Sequence, residues 1–342
     1  MRQNCLRTVY LLGSAETGHI GQISLGADGR VKGQADPKRA RFGFQGDRSE
    51  RFYFLNEAGE KQARLRYQAE ANMFFPDDVS GLYMVPLVTL DPPREAFGSA
   101  RLMINTIPKS GTYLLDMVLT AIGYHGLGLH LIPGECHDNR GVPAELIHRD
   151  PFSRRIFAPA GAVALVMAAG EYALGHVGDE RQVGLIDRAG VGMINCQRDL
   201  RNVLVSLFRF KLKSVDPQAP SDRVWRRMAE ADGFLGFLCA AASTEIDDIR
   251  NFAELMPRLP GVLLRFEDLV QGIIPAAQRD ALDLLDDGLG MMMEAVLPEH
   301  LGRQSSTLSA QRSDWHGLWS PAAEEFFDRS GLLDANRGLG YE

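Results

Sequence analysis

The residue types best suited to chemistry stand at residues 108–112, where an apolar run breaks into the sequence Pro-Lys-Ser-Gly-Thr. A strand that ends here and continues into a helix presents several unpaired backbone N–H groups beside a lysine and two hydroxyls. These donors and the positive end of the helix dipole favour negative charge, and Gly111 lets the backbone approach a ligand closely. The loop therefore predicts an anion site.

The order of these residues differs from the phosphate loop of nucleotide triphosphatases. That loop needs Gly-x-x-x-x-Gly-Lys-Ser/Thr, whereas here Lys109 precedes Gly111 and the first glycine is absent. An ordinary kinase or ATPase is therefore disfavoured. The alternative is a plain turn in which Ser110 and Thr112 cap the next helix, as these residue types commonly do.

A second strand, followed by a charged turn and a helix, is predicted at residues 192–206. Arg198 would lie at the carboxyl end of this strand, at the edge where open parallel sheets bind their ligands. Ser206 follows eight residues later, about two helical turns, and so shares a helix face with Arg198. An arginine fork and a hydroxyl suit a phosphate group. The alternative is a surface ion-pair cluster of Arg198, Asp199 and Arg201.

Together the two motifs resemble those of the sulfotransferase superfamily, whose members use 3′-phosphoadenosine 5′-phosphosulfate (PAPS). That family carries Pro-Lys-Ser-Gly-Thr for the 5′-phosphosulfate and Arg-Asp-Pro-Arg-(Asp/Asn)-Val-x-Val-Ser for the 3′-phosphate; here Leu200 replaces the proline. The similarity continues in Leu-Arg-Phe-Glu-Asp-Leu at residues 264–269 and covers residues 100–342. It implies a bacterial-type member that transfers a sulfuryl group from PAPS to a hydroxyl or amine acceptor by in-line attack.

The resemblance also implies roles for single residues. Lys109 would bridge the leaving phosphate and the sulfuryl group. The residues implied to bind the donor are Lys109, Ser110, Gly111, Thr112, Tyr113, Arg198 and Ser206. At residues 305–315 the chain departs from the family's lid motif, Arg-Lys-Gly-x-x-Gly-Asp-Trp, and keeps only Asp314 and Trp315 of its last residues. Arg312 is expected to replace the missing cation.

A hydroxyl acceptor gains from a base of near-neutral pKa, which histidine provides best. His176 lies 22 residues before Arg198, where the family places its base, whereas His130 lies in a sequence closer to the family's His-Leu-Pro. Because the spacing outweighs the local similarity, His176 is expected to be the catalytic base. His130 and a non-histidine base stay open as alternatives.

The elements that must position these residues form an α/β fold. From residue 99 to residue 342, short apolar runs alternate with helical stretches, including a long helix at residues 222–256, which predicts a parallel-sheet, P-loop-like domain. Residues 1–98 instead show alternating runs around turns, which predicts a small β-rich domain. That domain faintly resembles modules of bacterial glycan-modifying enzymes, so its role is open between carbohydrate binding and a scaffold.

The composition limits the partners and the compartment. The chain has 342 residues and a formal net charge of −7, which gives no support to a nucleic-acid or membrane-surface binder. The absence of a signal peptide and of a long apolar run predicts a cytoplasmic protein with no membrane insertion. The four cysteines lie far apart and are expected to be reduced thiols. A small-molecule or glycan acceptor is expected, and nothing in the sequence sets the oligomeric state.

Two further functions stay open at this point. The altered lid motif is compatible with a non-catalytic nucleotide-binding protein, and the fold is compatible with phosphoryl transfer. Glu267 and Asp268 follow a strand, where a carboxylate can hold magnesium. The end of a strand and the cap of the next helix explain these residues as well, so no metal is expected.

Overall fold

Two β-sheets organise the chain, and helices cover the second of them. The computed structural model describes residues 5–33, 36–45, 51–68, 73–143, 154–213, 220–241, 245–301 and 315–342. The strands of the first sheet are β1 Thr8–Ser14, β2 Gly18–Leu25, β3 Val31–Lys32, β4 Arg41–Gln45, β5 Arg51–Leu55, β6 Lys61–Gln68, β7 Met73–Pro76 and β8 Leu82–Thr89. All neighbouring pairs in this sheet are antiparallel, and the alternating runs around turns in residues 1–98 include the hairpins β2–β3 and β5–β6.

The first sheet closes on itself. Its strands lie in the order β3-β2-β1-β8-β7-β6-β5-β4, and the two ends of this row are joined by further backbone contacts. The Val31 N–H donates to the Ala40 carbonyl at 2.9 Å, and the Phe42 N–H donates to the Gly29 carbonyl at 3.0 Å. The enclosed side chains are large and apolar and include Tyr10, Phe52, Phe54, Leu65, Phe74 and Met84. Closure satisfies backbone groups that an open edge strand would expose.

The second sheet is mixed, which corrects the prediction of a parallel sheet. Its strands are β9 Leu102–Thr106, β10 His125–Ile132, β11 Glu135–Asp138, β12 Arg155–Ile156, β13 Glu171–Gly175, β14 Gly192–Gln197 and β15 Val262–Arg265, in the order β12-β11-β10-β13-β9-β14-β15. The strands β10, β13, β9, β14 and β15 are parallel to one another, whereas β11 and β12 are antiparallel to their neighbours. The cause is local: two residues connect β10 to β11, and so short a link forms a hairpin.

The helices follow the predicted alternation. They are α1 Thr112–Ile122, α2 Ala160–Ala164, α3 Glu180–Arg188, α4 Leu200–Lys213, α5 Pro220–Ala241, α6 Glu245–Leu255, α7 Phe266–Leu269, α8 Ala276–Leu285, α9 Leu289–His300, α10 Pro321–Arg329 and α11 Leu332–Gly338. The long helix predicted at residues 222–256 corresponds to α5 and α6, and α5 is kinked at Asp232 and Gly233, where φ and ψ leave the helical region. Within the described ranges, no helix combines the length and the apolar character needed to span a membrane.

Both faces of the second sheet are buried. On one face, Ile104 and Ile194 pack against Leu115 of α1 and Met293 of α9. On the other face, Met103 shares a cluster with Val163 of α2, Val183 of α3, and residues of the first sheet. Burial on both faces explains why β9 and β14 are short, almost wholly apolar runs.

The two sheets share a buried contact. Val9 and Val88 of the first sheet belong to the same apolar cluster as Leu129 of β10. A guanidinium nitrogen of Arg7, just before β1, lies 2.6 Å from a carboxylate oxygen of Glu171 in β13, and both side chains are buried. The expected boundary at residue 98 falls in the segment between β8 and β9, and the division into two domains stays a prediction.

We predict that Arg7→Met will lower the free energy of unfolding by about 3 kcal/mol, because it leaves the Glu171 carboxylate buried without its partner. Urea denaturation measures this loss. The matched control is Arg30→Met, which breaks an exposed ion pair with Glu57 and should cost less than about 1 kcal/mol. Equal losses for the two variants would contradict the structural role of the buried pair.

Candidate functional site

Three motifs found in the sequence meet at one edge of the second sheet. The strands β13, β9 and β14 are adjacent and parallel, so their carboxyl ends lie side by side. The loop at residues 107–111 follows β9, His176 follows β13 directly, and Arg198 follows β14 directly. The sheet therefore brings together a lysine loop, a histidine and an arginine that are far apart in the chain.

The loop after β9 holds two residues in the left-handed region. Lys109 has φ 69° and is the one non-glycine residue with positive φ in the described part of the chain, while Gly111 has φ 97°. A side chain at Gly111 would meet the Phe266 ring, since a Cβ there would lie 2.7 Å from its Cδ2 atom. Left-handed conformations of non-glycine residues are costly and occur often at functional sites.

The hydroxyl groups of the loop do not cap α1. The cap residue of this helix is Gly111, which has no side chain, so the first N–H groups of α1 are left for another partner. The hydroxyls of Thr112 and Thr106 lie 2.6 Å apart. The Ser110 hydroxyl is fully buried and has no hydrogen-bond partner among the described residues. The alternative of a plain capping turn is therefore disfavoured.

Arg198 joins the turn after β14 to this loop. One of its terminal nitrogens donates to the Lys109 carbonyl at 2.9 Å, and its guanidinium lies 4.3 Å from the centre of the Phe266 ring. Burial lowers the pKa of Arg198 to about 10, and the group stays cationic at neutral pH. The Lys109 ammonium lies 4.0 Å from the centre of the Phe210 ring on α4. The positive charges of two motifs are thus placed on one edge.

Arg201 and Glu267 have structural partners. Arg201 is buried, donates to the Glu324 carboxylate at 2.7 Å, and reaches the Glu342 carbonyl at 2.6 Å. Glu267 accepts from the Tyr341 hydroxyl at 2.6 Å and from the Asp199 N–H at 3.2 Å. The alternative of a surface ion-pair cluster is wrong, because Arg198 and Arg201 are both buried. Within the described ranges, no three His, Cys, Asp or Glu side chains are arranged so that they could hold a metal ion.

His176 is held by the strand beside it. Its Nδ1 atom lies 2.7 Å from the Thr106 carbonyl oxygen and 3.3 Å from the Thr106 hydroxyl. Because a carbonyl only accepts, Nδ1 carries the proton and Nε2 keeps its lone pair. Burial is the main cause that lowers the pKa of His176 to about 4, and the Lys109 charge lowers it further. The imidazole is therefore neutral at pH 7 and able to accept a proton at Nε2.

Asn105, which the motif search did not identify, fixes the position of His176. Its side-chain oxygen accepts from the Val177 N–H at 2.8 Å, and its amide nitrogen donates to Asn195 at 3.2 Å. Asn195 in turn donates to the Pro260 carbonyl at 2.8 Å. The signal was present in the sequence, since each asparagine interrupts an apolar strand run and a buried amide needs partners.

His130, the alternative base, lies beside His176. It belongs to β10, and the centre of its ring is 4.5 Å from that of His176. Burial keeps the pKa of His130 well below its usual value. Both histidines proposed from the sequence are thus part of one cluster, and only His176 contacts the strand that leads into the loop.

The remaining candidate residues have different positions. Tyr113 lies in the first turn of α1, where burial raises the pKa of its hydroxyl. Ser206 lies on α4, one turn before Phe210 and hence on the face that meets Lys109. Arg312 lies outside the described residues. Trp315 is described, and the centre of its ring is 5.2 Å from the Arg201 guanidinium.

Comparisons with known proteins give distant structural likenesses. No family model and no curated protein matches the chain. Among solved structures, the crystal structure of the mouse sulfotransferase SULT7A1 complexed with PAP aligns with a TM-score of 0.42 and 14% sequence identity. The alignment covers 70% of this chain and 88% of the mouse chain.

We predict that Gly111→Ala will lower the free energy of unfolding by about 3 kcal/mol, because it combines a positive φ with a clash against Phe266. The matched control is Gly59→Ala, since Gly59 has φ 85° but nothing within 4 Å of an added Cβ. The control should cost only the conformational term, about 1 kcal/mol. Urea denaturation of both variants separates the cost of the positive φ from the cost of the clash. Equal losses would show that the Phe266 ring moves aside without an energetic cost.

Proposed function

We propose that the protein transfers a sulfuryl group from PAPS to a hydroxyl or amine acceptor. The observation that carries the proposal is the hydrogen bond from Arg198 to the Lys109 carbonyl, with His176 beside the same loop. It supports one site built from the two motifs that resemble the donor-binding segments of sulfotransferases, with a neutral histidine next to them.

The donor would be held by groups of both motifs. The first N–H groups of α1 and the buried Ser110 hydroxyl suit the 5′-phosphosulfate, with Lys109 beside them. Arg198, with Ser206, suits the 3′-phosphate, because a guanidinium fork matches phosphate oxygens. The chain as a whole is acidic, so the attraction for such an anion is local to this edge.

The chemistry needs one base and one fixed cation. His176 Nε2 would accept the acceptor proton as the acceptor oxygen or nitrogen forms its bond to sulfur. The bond from sulfur to the 5′-phosphate oxygen breaks at the same time, and the electron pair leaves with that oxygen. Lys109 would stabilise the charge that develops on the leaving phosphate. Transfer of this kind depends mainly on positioning and charge neutralisation.

We predict that the product nucleotide, 3′-phosphoadenosine 5′-phosphate (PAP), will raise the melting temperature, whereas ATP with magnesium will not. At a hundredfold excess over its Kd, PAP should add about 2.7 kcal/mol to the free energy of unfolding. Lys109→Ala and Arg198→Ala should each weaken PAP binding more than about tenfold, as expected for a lost charged hydrogen bond.

Calorimetric titration with PAP measures these affinities. The control is Arg329→Ala, which removes an exposed arginine on α10 and should leave the affinity unchanged. A larger stabilisation by ATP with magnesium than by PAP would contradict the sulfotransferase proposal and favour phosphoryl transfer.

We predict that His176→Ala will keep PAP affinity while lowering kcat by a factor of about 100 to 10,000, the usual contribution of a general base. Transfer of labelled sulfate from PAPS to a panel of hydroxyl and amine acceptors measures kcat. His19→Ala, on the exposed part of β2, is the control and should stay active. An active His176→Ala enzyme would return the role to His130 or to a non-histidine base.

The same assignment predicts an unusual pH profile. Because the pKa of His176 is lowered to about 4, its neutral form persists as the pH falls from 8 to 5 and is lost only near pH 4. The value of kcat/KM for PAPS, which reports the free enzyme, should therefore stay level over that range. A histidine of ordinary pKa, about 6.5, would lose about nine-tenths of its basic form by pH 5.5.

A further inference from the structure

The antiparallel part of the second sheet places four polar residues next to His176. Leu174 of β13 pairs with His130 of β10, His130 pairs with His137 of β11, and His137 pairs with Arg155 of β12. Paired residues on neighbouring strands lie on the same face of a sheet, as do residues two apart on one strand. His130, Glu135, His137 and Arg155 therefore share one face with His176, and we refer to these four as the polar platform.

Contacts connect the platform to the proposed base. The ring centres of His176 and His130 are 4.5 Å apart, and those of His130 and His137 are 6.4 Å apart. The Glu135 carboxylate lies 3.4 Å from His137 Nε2 and 3.0 Å from Arg155 Nε. The four residues thus form a continuous polar row that spans three strands, about 10 Å at the usual strand spacing.

The platform lies on the far side of His176 from the donor residues. In the strand order, β9 and β14 carry Lys109 and Arg198 on one side of β13, whereas β10, β11 and β12 lie on its other side. In-line transfer requires the acceptor to approach the sulfuryl group opposite the leaving phosphate, next to the base. The platform occupies that side of the site.

The charge of the platform defines the acceptor that it suits. Burial keeps the pKa of His130 far below its usual value, so this imidazole is neutral, and Arg155 balances the charge of Glu135. The row contains carboxylate, guanidinium and imidazole groups, which are types that hydrogen-bond hydroxyl groups, and the Arg155 side chain is 44% exposed. An anionic acceptor would meet the Glu135 carboxylate and a cationic acceptor would meet the Arg155 guanidinium, so either would lose its hydration beside a group of like charge.

We propose that the polar platform binds the acceptor, and that the acceptor is an uncharged polyhydroxylated molecule, namely a neutral carbohydrate. This inference rests on the proposed sulfuryl transfer and names the substrate class of the same site. Glu135 and Arg155 set the specificity, and the acceptor hydroxyl next to His176 is the one that receives the sulfuryl group.

The test uses the p-nitrophenyl β-glycosides of glucose, galactose and N-acetylglucosamine as probes. Saturation-transfer NMR without any donor should show that the wild type binds at least one of them. Glu135→Gln and Arg155→Lys should weaken that binding, and should raise the acceptor KM in the PAPS-dependent reaction about tenfold or more. The KM for PAPS and the affinity for PAP should not change.

The matched controls are Glu57→Gln and Arg30→Lys, which alter an exposed ion pair on the first sheet. If Glu135→Gln lowers the melting temperature, the glycoside affinity of Arg155→Lys becomes the test. This variant keeps the charge of the pair and changes only the geometry of the donor groups. Glycoside binding that is absent in the wild type or unchanged in both variants overturns the platform. Failure of PAP to bind overturns the proposed function instead. The NMR experiment contains no donor, so its result does not depend on PAP binding.

Discussion

The hydrogen bond from Arg198 to the Lys109 carbonyl is the interaction on which the candidate site depends. It connects the loop after β9 to the turn after β14, and it points the Lys109 carbonyl toward the guanidinium, which fits the positive φ of that residue. The Phe266 ring supports both partners, because it stacks on Arg198 and leaves room only for glycine at residue 111. The conformation of the loop and the position of the Arg198 guanidinium therefore depend on the same contacts. Neither motif would keep its geometry without the other.

The two arginines of the second motif, Arg198 and Arg201, have different partners. Arg201 meets the Glu324 carboxylate and the last carbonyl group of the chain, so its charge is balanced while it fixes α10 and the C-terminal residues. Arg198 donates to the Lys109 carbonyl, which orients its guanidinium, and the nearby Glu267 and Asp199 carboxylates oppose the effect of burial on its pKa. An acidic chain can therefore present a positive site at one sheet edge, since the field that matters there comes from the nearest groups.

The sequence predicts much of this site because parallel strands end at a common edge. The apolar runs of β9 and β14 are uninterrupted except for one asparagine each, so their ends, and with them Lys109 and Arg198, follow from the pattern. The β10–β11 hairpin is not predicted: leucine alternates in β10 as in a strand, but the glycines within it weaken that pattern, and the two-residue β12 exists only through its pairing. Closure of the first sheet and the ion pair of Arg7 likewise depend on residues distant in the chain, which no local pattern reveals.

The position of His176 between the two halves of the sheet couples its basicity to the donor. Burial and the Lys109 charge lower the pKa of His176, and the hydrogen bond to the Thr106 carbonyl opposes them. An anion bound at Lys109 would cancel the repulsion between the lysine and a protonated imidazole, and so would raise that pKa toward neutrality. In the proposed reaction, His176 would then be most basic when the phosphosulfate is bound. On the other side, His137 of the polar platform also lowers this pKa, so the basicity of His176 responds to groups on both sides of it.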